Sequence, residues 1–443
     1  MRIHLLGICG TFMGALAQLL AAQGHRVTGS DRKCYEPMLG RLRQAGIDIE
    51  ESDDPRQLDG AECIVIGNAL SRGHPCVERC LRERLPFVSG PEMLARSVLA
   101  ERRVIAVAGT HGKTTTTAML VHLFRSCGRS VGYLVGGVLP DGAPSADAGA
   151  DEWFVIEADE YDTAFFDKRS KFVHYRPEIA LLNNLEFDHA DIFDDLGAIE
   201  RQFNHLLRTV PDCGAVLYSV HSDALARVVA QGCWAETVET FGEGAGDWRL
   251  APVSDGVGYR ALHGAEDIGE LRMPRAPGRH NALNALGAIA AAAQAGVSPR
   301  EALAALNDFA GVRRRLEVLG EVGGVLLIDD FAHHPSAIRS SIEAVRLRHP
   351  GARLLVLIEP RSNSMRSGVH ADTLPASWAG ADAVWWCGED LWGGSGGVHV
   401  CPDVETLVQE AAAFARSGDI VLTMSNGPFE GVHEQLRTRL AGR

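Results

Sequence analysis

The sequence predicts an α/β protein built from three units, each with strands that end in polar residues. Two observations carry that prediction. Short apolar runs alternate with helix-compatible stretches along nearly the whole chain, and two of the runs enter glycine-rich turns, at 7–14 and 109–112, of the kind that join a strand to a helix around a phosphate. A length of 443 residues suggests about three domains, and 46% hydrophobic residues is ample for sizeable cores. The net charge of −14, with no Lys/Arg-rich block to offset it, argues against a nucleic-acid partner, so anionic ligands must be held by local sites.

The first unit, residues 1–99, opens with a strand at 3–6. The turn Gly7-Ile8-Cys9-Gly10-Thr11-Phe12-Met13-Gly14 follows, then a helix at 15–22 stopped by Gly24, and a second strand at 27–29 that leads through Ser30 to Asp31. This is a Rossmann-like start. The spacing G-x-x-G-x-x-x-G, with Cys9 where a middle glycine belongs, disfavours a dinucleotide but leaves room for a diphosphate at the helix N-terminus. Asp31 either faces a sugar hydroxyl or is an ordinary strand-end acid. Strands at 63–67 and 87–88 and a helix at 91–99 complete the unit, and Glu101-Arg102-Arg103 marks a boundary. Because Gly7, Gly10 and Gly14 break the apolar start, it reads as a β-α-β unit rather than a signal peptide. The alanine-rich run 285–293 is too short and small-sided to span a bilayer, so no membrane partner is expected. The ten cysteines are scattered, with no C-x-x-C pair, and read as reduced core thiols of a cytoplasmic protein.

The second unit, residues 100–310, is organised around the strand 104–108, the loop Gly109-Thr110-His111-Gly112-Lys113-Thr114-Thr115 and a helix-compatible run at 118–125. This is a P-loop ATPase-type arrangement. The glycines let backbone N–H groups face a phosphate, Lys113 neutralises charge on it, and the Thr114 hydroxyl suits Mg²⁺. Val107 stands where the longer P-loop pattern has glycine, so the loop is a shortened form. The apolar strand 153–156 delivers an acid where a nucleotide site carries its Mg²⁺ carboxylate; Glu157, directly after the apolar run, is the first choice, and solvated charge is the alternative reading of Asp159 and Glu160. A strand at Ile179–Leu182 leads to His189 among several acids, either a metal or substrate contact or a hydrogen-bonded loop histidine. After short strands between 214 and 273, His280, Asn281 and Asn284 fall within one turn of a helix start and can reach a base or ribose. Helix capping explains Asn281 equally well.

The third unit, residues 311–443, begins at a basic hinge containing Arg313, Arg314 and Arg315. It continues as a second Rossmann-like pattern: a strand at 325–328 ending at Asp329-Asp330, a helix from Pro335, and strands at Leu354–Ile358, 383–386 and Ile420–Met424. Open α/β sheets bind ligands beyond the strand C-terminal ends. That places Arg361, Ser362, Asn363 and Arg366 after one strand, and Ser425 and Asn426 after another, as candidate substrate contacts.

Taken in order, the phosphate loop, the Glu157 strand, His189, His280-Asn281-Ala282-Leu283-Asn284, the arginine cluster and Asp329-Asp330 make the chain resemble the Mur ligase family over essentially its whole length. That family comprises three-domain, ATP-dependent amide ligases of bacterial cell-wall synthesis. The resemblance implies that Lys113, Glu157 and His189 are catalytic, with one Mg²⁺ on Thr114 and Glu157 and a second contacted by His189 near the acyl oxygen. For ATP it implies Gly109, Thr110, His111, Gly112, Lys113, Thr114, Thr115, His280, Asn281, Asn284, Arg315 and Asp330. UDP-N-acetylmuramate would lie on the first unit, against Gly7, Gly10, Thr11, Gly14, Ser30, Asp31, Asn68 and Ser71. The third unit would close on ATP and bind the peptide through His334, Arg361, Ser362, Asn363, Arg366, Ser425 and Asn426. Stretches such as Glu359-Pro360-Arg361-Ser362-Asn363-Ser364-Met365 resemble the branch whose amine is the murein tripeptide L-Ala-γ-D-Glu-meso-diaminopimelate; the alternative amine is L-alanine. Several family members carry a carbamylated lysine beyond the metal-binding histidine, but residues 190–213 contain no lysine.

Overall fold

The computed structural model describes residues 1–36, 38–139, 142–254, 258–392 and 397–442. Three large sheets follow one another along the chain, and the described residues add a two-stranded antiparallel pair, Asp162–Ala164 with Asp167–Ser170. The first runs, in spatial order, Asp48–Glu50, Arg26–Ser30, Arg2–Leu6, Cys63–Ile66 and Phe87–Ser89, all parallel. Strand order reverses between Arg2–Leu6 and Cys63–Ile66, which opens a crevice at their C-terminal ends. The glycine-rich turn and Asn68 sit there. The helix begins at Thr11, not at 15 as the apolar pattern suggests, because the turn ends at Gly10. Gly14 therefore lies inside the helix, where a Cβ would come within 2.3 Å of Met38 Sδ. Its smallness serves the approach of the helix Met38–Gln44.

His4 is buried in this sheet, with its ring nitrogens 2.8 Å from Thr28 Oγ1 and 3.3 Å from Ser30 Oγ. Burial pushes its pKa down from 6.5 to about 4. A histidine whose folded pKa is depressed stabilises the fold fully above the unfolded value and loses that contribution as pH falls. About 3 kcal/mol should disappear between pH 6.5 and 4. His4→Gln is expected to flatten the pH dependence of the melting temperature over that window; an unchanged slope would refute the assignment.

The turn also holds a correction. Cys9 and Cys34 form a disulfide, with Cα atoms 5.4 Å apart, whereas the sequence read all ten cysteines as free thiols. The other eight are free. Parallel pairing of Arg2–Leu6 with Arg26–Ser30 puts the loops after both strands side by side, which a separation of 25 residues does not reveal.

The second sheet has the order Glu266–Leu271, Tyr259–His263, Trp248–Pro252, Thr237–Glu243, Ala215–Ser219, Ile179–Leu182, Arg103–Ala108, Trp153–Ala158, Gly132–Leu134, Ala146–Asp147. Arg103–Ala108 is central, so the loop after it is flanked by the ends of Ile179–Leu182 and Trp153–Ala158. The helices Lys113–Ser126 and Arg279–Gln294 cover one face through Leu120, Phe124, Leu286 and Ile289 against Ile105 and Val107. Alanine along Arg279–Gln294 is what lets a helix be buried almost all round; Ala285, Ala288 and Ala291 are fully covered.

The third sheet runs Glu317–Val322, Val325–Asp330, Ile420–Met424, Leu354–Ile358, Ala383–Cys387, Val398–Cys401, with only the first pair antiparallel. Apolar side chains cover both faces. Its strand Val325–Asp330 extends through both acids instead of stopping at 328, and Asp329 and Asp330 are buried. Among the described residues no helix is long and apolar enough to cross a membrane.

Candidate functional site

A cleft of about 740 Å³ is lined by residues of all three units. At its centre is the phosphate loop. Gly109 and Gly112 have φ of +143° and +83°, and a Cβ would meet the Asn184 backbone oxygen at 3.0 Å or Asn284 Oδ1 at 2.6 Å, so both positions require glycine. The loop is docked on the segment after Ile179–Leu182: the His111 N–H donates to Asn184 Oδ1 at 2.8 Å and the Thr110 hydroxyl to the Glu186 carbonyl at 3.2 Å.

Lys113 opens the following helix, and its Nζ donates to the Gly109 carbonyl at 2.6 Å and to Glu160 at 3.0 Å. Glu160 is buried and also lies 3.0 Å from His189 Nε2. The alternative reading of Glu160 as a solvated charge is therefore excluded. Burial alone would raise the Glu160 pKa, but the Lys113 and His189 charges outweigh it and hold the group down at about 2. Burial likewise works to lower the Lys113 and His189 pKa values, and the neighbouring acids reverse it, so both are raised. His189 has φ of +58° and packs on the Tyr161 ring at 4.3 Å between centroids, a strained backbone held where the side chain is needed.

Glu157 behaves oppositely. Burial, with Asp159 adding repulsion, pushes it up to about 7. Its carboxylate accepts the Gly136 N–H at 2.6 Å and the Thr114 hydroxyl at 3.1 Å. Thr114 and Glu157 thus present oxygen donors side by side at the mouth of the loop, a donor set that fits Mg²⁺. A buried carboxylate with raised pKa and no cation of its own is the environment a divalent ion would relieve. His189 and Lys113 share the Glu160 carboxylate beside this pair.

Of the other nucleotide candidates, Thr115, His280, Asn281, Arg315 and Asp330 line the cleft, as does Asn284, which faces Gly112 of the phosphate loop. Gly109 lies behind the lining. Asp330 is committed internally: it accepts the Leu316 and Ala332 N–H groups at 2.7 and 2.8 Å and the Ser341 hydroxyl at 3.1 Å. It positions the hinge and the turn after its strand. Arg315 stacks on Phe331 at 4.6 Å. Arg314 clamps Asp329 and the carbonyls of Ser425 and Gly427.

In the first unit Gly7, Gly10, Thr11, Asp31 and Asn68 line the cleft. Asp31 accepts the Cys9 and Arg32 N–H groups, so it braces the turn. Ser30 is buried against His4, Ser71 is exposed outside the cleft and Gly14 is a packing residue, so these three do not line it. Of the peptide candidates only Asn426 lines the cleft, and its Oδ1 is buried without a hydrogen-bond partner. Ser425 is turned inward onto Glu359 at 2.6 Å, and Ser362 caps a short helix at Asn363–Arg366. Asn363 is bonded to Asp191 at 2.8 Å, Arg361 pairs with Glu359 at 3.5 Å, and Arg366 points to the Pro360 carbonyl. His334 is buried at the seam between the second and third units.

Sequence reasoning missed Glu160, Tyr161, Lys171 and Glu186. Lys171 is buried, with its Nζ over the Phe12 and Tyr161 rings at 5.4 and 5.5 Å, joining the first and second units. The available signal was three acids within four residues after a wholly apolar strand, since a strand end in the sheet centre is a poor place for solvated charge.

A phosphate loop with its lysine and acids, shared among three α/β units, defines an enzyme that works on a nucleotide's phosphates. Family profiles place it more closely. "Mur ligase family, catalytic domain" matches residues 2–102, "Mur ligase middle domain" 107–292 and "Mur ligase, glutamate ligase domain" 314–427. The chain belongs to the Mur ligase family, enzymes that form C–N bonds. It is 46% identical over 453 aligned residues to the UDP-N-acetylmuramate–L-alanyl-γ-D-glutamyl-meso-2,6-diaminoheptandioate ligase of Escherichia coli, covering 100% of this chain and 98% of that one. A UDP-N-acetylmuramate–L-alanine ligase of Rubrobacter xylanophilus is 33% identical, with 99% and 100% covered. The crystal structure of a murein peptide ligase from Psychrobacter arcticus matches with a TM-score of 0.77 at 41% identity, covering 100% and 99% of the two chains.

Proposed function

We propose that this protein joins UDP-N-acetylmuramate to the tripeptide L-Ala-γ-D-Glu-meso-diaminopimelate, using ATP and forming ADP and phosphate, in cytoplasmic recycling of peptidoglycan. The observation that carries this reading is the 46% identity to the E. coli ligase named for that reaction, spread over the whole chain. We divide the work as residues 1–99 for the UDP-sugar, 100–310 for ATP and 311–443 for closure and the peptide.

The substrate carboxylate takes the γ-phosphoryl group of ATP, and the peptide amine displaces phosphate from the resulting acyl phosphate. Lys113 is held where γ-phosphate charge develops. Thr114 and Glu157 would hold Mg²⁺, which when bound neutralises β/γ charge. Glu160 orients Lys113 and accepts from His189, raising its pKa, and His189 is directed toward the acyl oxygen. Helix N-terminal N–H groups from Thr11 onward, which no side chain caps, suit the UDP diphosphate. Asn281 and Arg315 complete the nucleotide side.

Phosphate release measured with ATP, UDP-N-acetylmuramate and the tripeptide tests the proposal: release that depends on all three is expected, and release indifferent to the amine would refute it. The absence of lysine from 190–213 adds a second expectation. Gln202 occupies the helix Leu196–Leu207 and accepts from the Ser170 backbone N–H, with the Ser170 hydroxyl on the Glu160 carbonyl, so uncharged hydrogen bonds brace Glu160 from that side. Removing bicarbonate should leave turnover unchanged. Marked rescue by added bicarbonate would contradict it.

A further inference from the structure

Three ligand-type atoms converge where the third unit rests on the phosphate loop. His111 Nε2 lies 3.2 Å from His334 Nδ1, His334 Nδ1 lies 3.4 Å from Glu186 Oε2, and His111 Nε2 lies 3.6 Å from that same oxygen. Bonds of about 2.0–2.2 Å to a tetrahedral ion set neighbouring ligand atoms about 3.3–3.5 Å apart. The triangle already has that size.

The surroundings fix which nitrogen of His334 carries the lone pair. His334 Nε2 is 3.3 Å from the Phe187 carbonyl, to which only an N–H can donate, so Nδ1 is the unprotonated nitrogen. It caps the helix Pro335–Arg348 through a 3.3 Å contact from the Ser336 N–H. The Ser336 hydroxyl donates to Glu186 Oε2. His111 is set by its backbone bond to Asn184 and by ring contact with His334 at 4.7 Å between centroids. The bond from His334 Nε2 to the Phe187 carbonyl stands behind its ligand nitrogen as metal sites require, whereas the Ser336 N–H contact lies on Nδ1 itself and gives way when an ion binds.

We propose that His111, Glu186 and His334 form a three-ligand site for one zinc-class divalent ion, with a fourth position open. Two imidazoles and one carboxylate suit zinc and its neighbours, whereas Mg²⁺ prefers the oxygen pair Thr114 and Glu157. His111 and Glu186 come from the second unit and His334 from the third. A bound ion therefore staples the third unit onto the phosphate loop and stops the opening that product release needs. The site is independent of which amine the enzyme uses, because binding is read without substrates.

The test uses the full chain freed of metal by a chelator, then titrated with Co²⁺ as a spectroscopic probe and with Zn²⁺ against a chromophoric chelator, without nucleotide. One equivalent with the visible absorption of a tetrahedral Co²⁺ centre is expected. Affinity should fall at least about tenfold in both Glu186→Gln and His111→Asn and be retained in His189→Gln, with circular dichroism confirming that each variant is folded. His111→Asn leaves the helix cap untouched, so it reports on the site even if another variant misfolds. No saturable binding, binding undiminished in both ligand variants, or binding lost only in His189→Gln would overturn the proposal.

Discussion

Lys113→Ala is expected to reduce amine-dependent phosphate release about a thousandfold or more, because the lost cation serves charge that develops during phosphoryl transfer. The structure adds a complication that the loop motif alone does not suggest. Lys113 Nζ is 3.0 Å from Glu160, which is itself buried and depends on Lys113 and His189 for its low pKa. Removing one member of a buried ion pair leaves the other uncompensated, at about 3–5 kcal/mol. The single variant should therefore lose stability as well as activity, and a dead enzyme would be ambiguous. The decisive protein is Lys113→Met combined with Glu160→Gln, which removes both charges and keeps similar volumes. It should fold, retain binding of UDP-N-acetylmuramate on the first unit, and remain inactive. Turnover near wild type in that double variant would sink the role assigned to Lys113.

What the sequence disclosed and what it hid divide along sequence distance. The phosphate loop was readable because strand, turn and helix are contiguous and each residue type has a local reason, although the helix starts at Lys113 and not at 118. Glu157 followed from the same logic, as the acid at the end of a buried strand. Glu160 was left without a role because its partners, Lys113 and His189, lie 47 and 29 residues away and only the sheet order brings them together. Asp330 was placed in the right cleft but given too free a part: its carboxylate is occupied by Leu316, Ala332 and Ser341, a fact of hydrogen bonding rather than of pattern. Ser30 and Gly14 were assigned to a ligand on resemblance, yet the alternation of a strand turns Ser30 toward His4, and a helix started early puts Gly14 against Met38. The disulfide from Cys9 to Cys34 was hidden for the same reason, since loop proximity follows from parallel pairing.

The choice of amine gives the other large effect. Free L-alanine needs little beyond a small apolar wall, whereas the tripeptide brings several carboxylates and a second amine that require polar partners. At the edge of the third sheet, Arg361 lies with its Cδ where a Cβ on Gly427 would come within 2.3 Å, and its guanidinium is 3.5 Å from Glu359. It is 36% exposed on its side chain, so the fork is set by that packing but open to an incoming carboxylate. Asn426, one residue before Gly427, lines the cleft, and its buried Oδ1 has no hydrogen-bond partner among the described residues. We expect the tripeptide to be used with kcat/KM at least about a thousandfold above that for L-alanine, because a site built for polar groups leaves them unpaired when the smaller substrate binds. Arg361→Ala should lower tripeptide kcat/KM about 10- to 100-fold, the value of one charge-assisted hydrogen bond, and leave L-alanine kcat/KM unchanged. Equal losses for both amines would mean that Arg361 acts on the fold and not on the peptide. A preference for L-alanine would assign the chain to the branch of its Rubrobacter relative instead.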